Sequence, residues 1–147
     1  MRTTISKAIM GLACLSMLAS CAKTVTADEA KKIASNWKVD EAAQTYKKGT
    51  VKSKDSKGNE STNNYDLTND IGKGAVKLLI VASAAAVSTA ASIDGVNFKA
   101  DGTALEFTYK DEDGTTEYKT NEFGLPVFTK TTASDGSWSQ ATYTWSK

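Results

Sequence analysis

The stretch Leu105-Glu106-Phe107-Thr108-Tyr109-Lys110-Asp111-Glu112-Asp113-Gly114-Thr115-Thr116-Glu117-Tyr118-Lys119-Thr120 decides the fold. Leu105, Phe107 and Tyr109 alternate with Glu106, Thr108 and Lys110. Asp113-Gly114 then turns the chain, and Thr116, Tyr118 and Thr120 follow. A period of two marks a strand with one dry and one wet face. Asp-Gly between two such runs signals a hairpin, with positive φ expected at both central residues.

The same grammar extends both ways. Upstream, Val96 and Phe98 lead to Asp101-Gly102. Downstream, Asn121 to Gly124 turns the chain, Val127 and Thr129 lead to Asp135-Gly136, and Ala141, Tyr143 and Trp145 follow. Pro126 begins a strand, where a missing amide is tolerated. This is a meander of about five strands. Val51 to Leu67, with Ser56-Lys57-Gly58-Asn59 in its middle, reads as a solvent-facing hairpin and raises the count to seven.

Helices are expected before and between these strands. Thr26-Ala27-Asp28-Glu29 has the form of a capping box. Ala30, Ile33, Ala34 and Trp37 then fall on one face, predicting a helix from Ala27 to Trp37. A second short helix is expected from Glu41 to Tyr46, ended by Gly49. Ile71 to Ile93 predicts a largely buried helix capped by Asp70. Val76, Leu79, Ile80 and Val87 share one side, and Ser88, Thr89 and Ser92 the other. Its uncharged part, Leu78 to Ile93, is 16 residues, below the roughly 20 needed to span a bilayer. Val76 to Val81 also reads as a buried strand. The expected class is α+β: an antiparallel meander of five to seven strands, with an N-terminal helix and one apolar Ala-rich helix packed on one face.

The N-terminus carries an address. Met1 to Lys7 holds two positive charges and no acid, Ala8 to Leu18 is apolar apart from Ser16, and Leu18-Ala19-Ser20-Cys21 follows. A basic start, a short apolar core and a small-residue cleavage site compose a secretory signal. Leu18-Ala19-Ser20-Cys21 resembles the lipobox of bacterial lipoproteins. The resemblance implies diacylglycerol on Cys21, cleavage before it, and anchoring through two or more acyl chains. Residues 1–20 would be the signal, 21–25 a lipidated tether and 26–147 a single domain. With Ala22 after Cys21, the expected place is the outer membrane of a diderm, or the outer face of the plasma membrane of a monoderm.

Composition narrows the function. Without Arg2 and Lys7 of the signal, 16 basic and 17 acidic residues remain, a balance that argues against nucleic acid as partner. The chain has no histidine, which removes His-containing catalytic triads and His-ligated zinc. Cys14 leaves with the signal, so Cys21 has no disulfide partner within the chain. No catalytic residue, metal ligand or cofactor is expected.

Several groups are candidates for contact. Asp111, Glu112, Asp113 and Glu117 are carboxylates of the kind that bind calcium, but they lack the spacing of a calcium loop and read as a solvated hairpin tip. Tyr143 and Trp145 share a strand face and read as core, whereas Trp138 lies on the opposite face and is the candidate surface contact. Val76, Ile80 and Val87 would face a hydrophobic ligand if the apolar helix left a cavity over the sheet. Lys47, Lys48, Lys52, Lys54 and Lys57 form a basic cluster suited to anionic lipid or glycan, or to a solvated strand face.

A capped helix followed by Asp-Gly-linked strands resembles PepSY-type helix-plus-sheet modules. It is also similar to lipoprotein-carrier half-barrels, in which a curved sheet and helices enclose acyl chains. Neither resemblance supplies a motif that transfers a functional residue. The resulting expectation is a lipid-anchored, non-catalytic envelope protein that binds a macromolecule or serves structure. The alternative is a carrier of a hydrophobic ligand. A hydrolase working through a carboxylate pair is the third expectation.

One prediction follows from the N-terminus. In cells fed a labelled fatty acid, Cys21→Ala should abolish incorporation into this chain, and Cys14→Ala should leave it unchanged.

Overall fold

A computed structural model of the chain describes residues 22–147. The expected signal and Cys21 lie outside the described residues. The elements, in chain order, are β1 (Lys23–Val25), α1 (Ala27–Ser35), α2 (Val39–Thr45), β2 (Lys48–Asp55), β3 (Glu60–Asp66), α3 (Asp70–Ala91), β4 (Phe98–Asp101), β5 (Ala104–Asp111), β6 (Gly114–Thr120), β7 (Pro126–Ala133) and β8 (Trp138–Ser146). All eight strands join one antiparallel sheet in the order β1-β4-β5-β6-β7-β8-β2-β3. The class is α+β as expected, with eight strands rather than five to seven.

The extra strand is β1. The expected tether at 21–25 is corrected here: Lys23, Thr24 and Val25 pair with Ala100, Lys99 and Phe98. Three residues are too few to show a period, so nothing in the sequence distinguished them from a linker.

Turns repeat one device. At Asp55–Asn59, Gly58 N donates to Asp55 O and Asp55 N to Asn59 O, closing a five-residue turn with Gly58 at φ 88°. The same pair of bonds and the same positive-φ glycine recur at Asn121–Leu125 and Ala133–Ser137. These are three-residue hairpin loops with a terminal left-handed glycine. The expected positive φ at the aspartates is overturned, since no non-glycine residue has it among the described residues. Asp135 instead accepts Ser137 N at 2.9 Å, and Asp111 accepts Asp113 N at 2.9 Å. A short acceptor side chain stabilises the turn from its first half, and glycine alone supplies the left-handed step.

The helices cap as their sequences suggest, with two corrections. Thr26 accepts Glu29 N at 3.1 Å. For α3, the cap is Asn69 rather than Asp70: its Oδ1 accepts Gly72 N at 2.7 Å, and Asp70 occupies the first helical turn. There its carboxylate favours the positive end of the helix dipole. Gly49 does not end α2. It lies inside β2, where a Cβ would sit 2.7 Å from the Trp145 ring.

The helices cover one side of the sheet. Val76, Ile80, Val87 and Ala90 of α3 are buried in one apolar cluster with Phe98, Leu105 and Phe107, and Ser83 is buried on the same side of the helix. Each large apolar side chain so buried contributes about 1.5–3 kcal/mol. The expectation of a largely buried α3 is corrected. Only 28% of its most apolar 18-residue window is buried, because one helix on a sheet presents its far side to solvent. The helix is 22 residues and apolar enough to cross a membrane by length and composition, but one side is committed to the core.

Two glycines of α3 give opposite predictions. A Cβ on Gly72 would collide with the backbone of Asp66 and Leu67, whereas one on Gly74 would meet nothing within 4 Å. In urea unfolding, Gly74→Ala should stabilise the fold by up to about 1 kcal/mol. Gly72→Ala should destabilise it despite the same gain in helix propensity.

Candidate functional site

The sheet has two chemically different faces. Register places Phe98, Phe107, Tyr118, Thr129, Ala141 and Ser53 on the helix side. The outer face carries Lys99, Glu106, Lys119, Phe128, Thr142, Lys52 and Thr62 in one row across the strands, and Thr108, Glu117, Lys130, Gln140, Lys54 and Glu60 in the next. No helix among the described residues lies over that second face. Period-two alternation produces this division directly: a residue that turns its neighbours inward faces water itself.

Two aromatic side chains interrupt the polar outer face, and each carries a lysine. Lys119 Nζ stands 5.8 Å from the centre of the Phe128 ring, and Lys130 Nζ stands 5.0 Å from that of Trp138. Lys119, Phe128, Lys130 and Trp138 thus form an oblique track over β6, β7 and β8. A cation over an aromatic face within about 6 Å is held by the ring quadrupole. Lys119 also pairs with Glu106 at 3.8 Å.

Trp138 therefore lies where the strand pattern placed it, half-buried beneath Lys130 on the outer face. Tyr143 and Trp145 lie on the other face and stack at 6.0 Å, and Trp145 Nε1 donates to Pro126 O at 2.7 Å. Among the basic cluster, Lys48, Lys52 and Lys54 alternate along the outer face of β2. Lys47 and Lys57 belong to its two ends, and Lys47 Nζ donates to Gln44 O at 2.9 Å. The cluster is thus divided by the pleat, and three of its five lysines join the track's face.

The remaining candidates separate. Val76, Ile80 and Val87 are 0–1% exposed within the core cluster. Beside them, the buried Ser83 hydroxyl bonds the Tyr118 phenol at 2.9 Å, and burial pushes the Tyr118 phenol above its ordinary range. The four described clefts are lined by β2, β3, β7, β8 and their adjoining loops, and none reaches these three residues. One of them, about 320 Å³, collects Ser53, Asp55, Asn59, Thr129, Thr131 and Ser139 at a corner that the helices leave bare. Asp111, Glu112 and Asp113 are exposed at the β5–β6 turn, while Glu117 faces Lys130 across the ladder. No carboxylate group suited to a metal ion occurs among the described residues.

The carboxylates with shifted acidity are held down. The side-chain and backbone bonds from Asn59 hold Asp55 below the usual carboxylate range. Those from Ser137 do the same for Asp135, and those from Thr68 for Asp66. A general acid needs the opposite shift. The sequence signalled neither aromatic–lysine pair, because each joins residues on neighbouring strands.

Because the ionised form is favoured in the folded turn, the bonds to Asp55 contribute above its unfolded pKa and are lost as pH falls through the lowered folded value. In a pH titration followed by NMR, the amide signals of Lys57 and Asn59 should move together, with a midpoint below the ordinary aspartate range. Comparison with family models, with curated proteins and with solved structures finds no match to this chain.

Proposed function

We propose that this protein is a lipid-anchored, non-catalytic binding module of the cell envelope, and that the outer face of its sheet takes an anionic macromolecule. The observation that carries this reading is the uncovered face itself. Lys48, Lys52, Lys54, Lys99, Lys110, Lys119 and Lys130 all fall on it by register, against Glu60, Asp66, Asp101, Glu106 and Glu117. Lysines spaced across a rigid sheet present a positive surface that steers an anionic partner. Phe128 and Trp138 beneath their lysines add apolar area that a polymer chain can lie against.

Three further features support the reading. The Cys21 lipobox supplies the anchor. The absence of histidine and the lowered acidity of Asp55, Asp66 and Asp135 suit binding rather than acid–base chemistry. The closed packing around Val76, Ile80 and Val87 favours a binding face over a ligand cavity.

The test is retention on an immobilised anionic polysaccharide, polygalacturonate, with neutral dextran as control. The chain should bind the first and not the second, and should elute as salt rises. Lys52→Gln with Lys54→Gln should reduce retention at least tenfold, with unfolding midpoint little changed because both side chains are exposed on β2. Equal retention of the variant, or equal binding to dextran, would overturn the proposal.

A further inference from the structure

We infer that the solvent-facing side of α3 rests on the surface of a lipid bilayer, as a second membrane contact beside the acyl chains on Cys21. The inference builds on the lipoprotein reading and adds an orientation to it. On α3, Ile71 is 87% exposed, Leu78 71% and Val81 58%. Helical periodicity aligns them with Gly74, Ala82 and Ala85, opposite Val76, Ile80 and Val87. The stripe carries no charge and runs about 20 Å at ~1.5 Å per residue. Three of the four large hydrophobic side chains exposed among the described residues lie on it. Exposed apolar side chains scattered singly mean little, but a contiguous patch marks a contact.

The anchor says what covers this patch. Lys23 is already paired in the sheet with Ala100, so Ala22 alone separates Cys21 from β1. At about 3.5 Å per residue, the two residue steps from Lys23 back to Cys21 give an acyl anchor at most about 7 Å of backbone reach. A lipidated residue so close to a rigid sheet brings the domain down onto the bilayer instead of letting it hang on a tether. Of the two broad sides, the sheet's outer face holds the lysines and acids, which resist leaving water. The helix side presents the uncharged stripe, flanked by the charged residues of α1 and α2. Lys77 at its border is drawn aside to Asp40 at 3.0 Å. Because Val76, Ile80 and Val87 stay in the core, α3 lies in the interface plane and does not span. Interfacial helices bury an apolar face some 5–10 Å into the headgroup and acyl boundary.

The experiment uses the full chain, purified from membranes and reconstituted into phosphatidylcholine vesicles. Cys14 leaves with the signal and the thiol of Cys21 is consumed by lipid, so an introduced cysteine is the only free thiol. Leu78→Cys and, as control, Thr62→Cys on the outer face of β3 are labelled with an environment-sensitive nitrobenzoxadiazole dye. The Leu78 position should show blue-shifted emission, several-fold brighter than that at Thr62, and quenched by spin-labelled lipid. A chain that stays on the vesicles through an alkaline wash while both positions remain equally wet overturns the contact and leaves the anchor standing. A chain that washes off overturns the anchor reading and the contact with it. A Leu78 signal that follows protein density and ignores the lipid quencher assigns the stripe to a second copy, and also overturns the inference.

Discussion

The burial of one side of α3 against Phe98, Leu105 and Phe107 holds the two layers of this protein together. The described residues contain no cysteine and no metal cluster, so packing alone must hold their layers together. Ile80 and its neighbours meet the sheet where its own aromatic contacts concentrate: Phe107 lies 5.3 Å from Phe98 and 5.4 Å from Tyr118, ring centre to ring centre. The hydroxyl of Ser83 would be costly in that setting without a partner, and the Tyr118 phenol provides one. Close approach at Gly72 brings the helix start onto the end of β3.

A single crossing helix cannot cover eight strands. With α1 and α2 it shields the half of the sheet around β4 and β5, and the β2–β3 hairpin is left as a wing. Every residue of β3 is exposed, which is why its composition is polar on both faces rather than alternating. The polar corner cleft lined by Ser53, Thr129 and Ser139 has the same origin. The surface thus divides into a charged sheet face and an apolar helix stripe on opposite sides. A module held at a bilayer by the stripe would present its lysines away from the lipid.

Legibility in the sequence followed the range of each interaction. The strands from Phe98 to Trp145 were readable because alternation and glycine turns are local. The α1 cap at Thr26 was readable for the same reason. The cap of α3 was misplaced by one residue, since Asn69 and Asp70 have equal claim until the backbone is seen. The fate of Gly49 depended on Trp145, nearly a hundred residues away. For the candidate site, period two put Trp138 and Tyr143 on opposite faces, but the lysines over Phe128 and Trp138 come from a neighbouring strand. The exposed stripe on α3 was hidden because a hydrophobic side chain is the same letter whether it faces a sheet or water.

The order of the sheet bears on how the chain would cross a membrane under the proposed lipoprotein reading. β8, made of residues 138–146, is an interior strand between β7 and β2, and β1 waits for residues 98–100. Pairings between distant segments close slowly, since loop entropy is spent before contacts return it. The sheet cannot be completed while its last quarter is still unmade or still inside a translocation channel. A chain exported and anchored as proposed would stay threadable during passage and close only on the far side, with its lipid-bearing end already fastened beside the membrane.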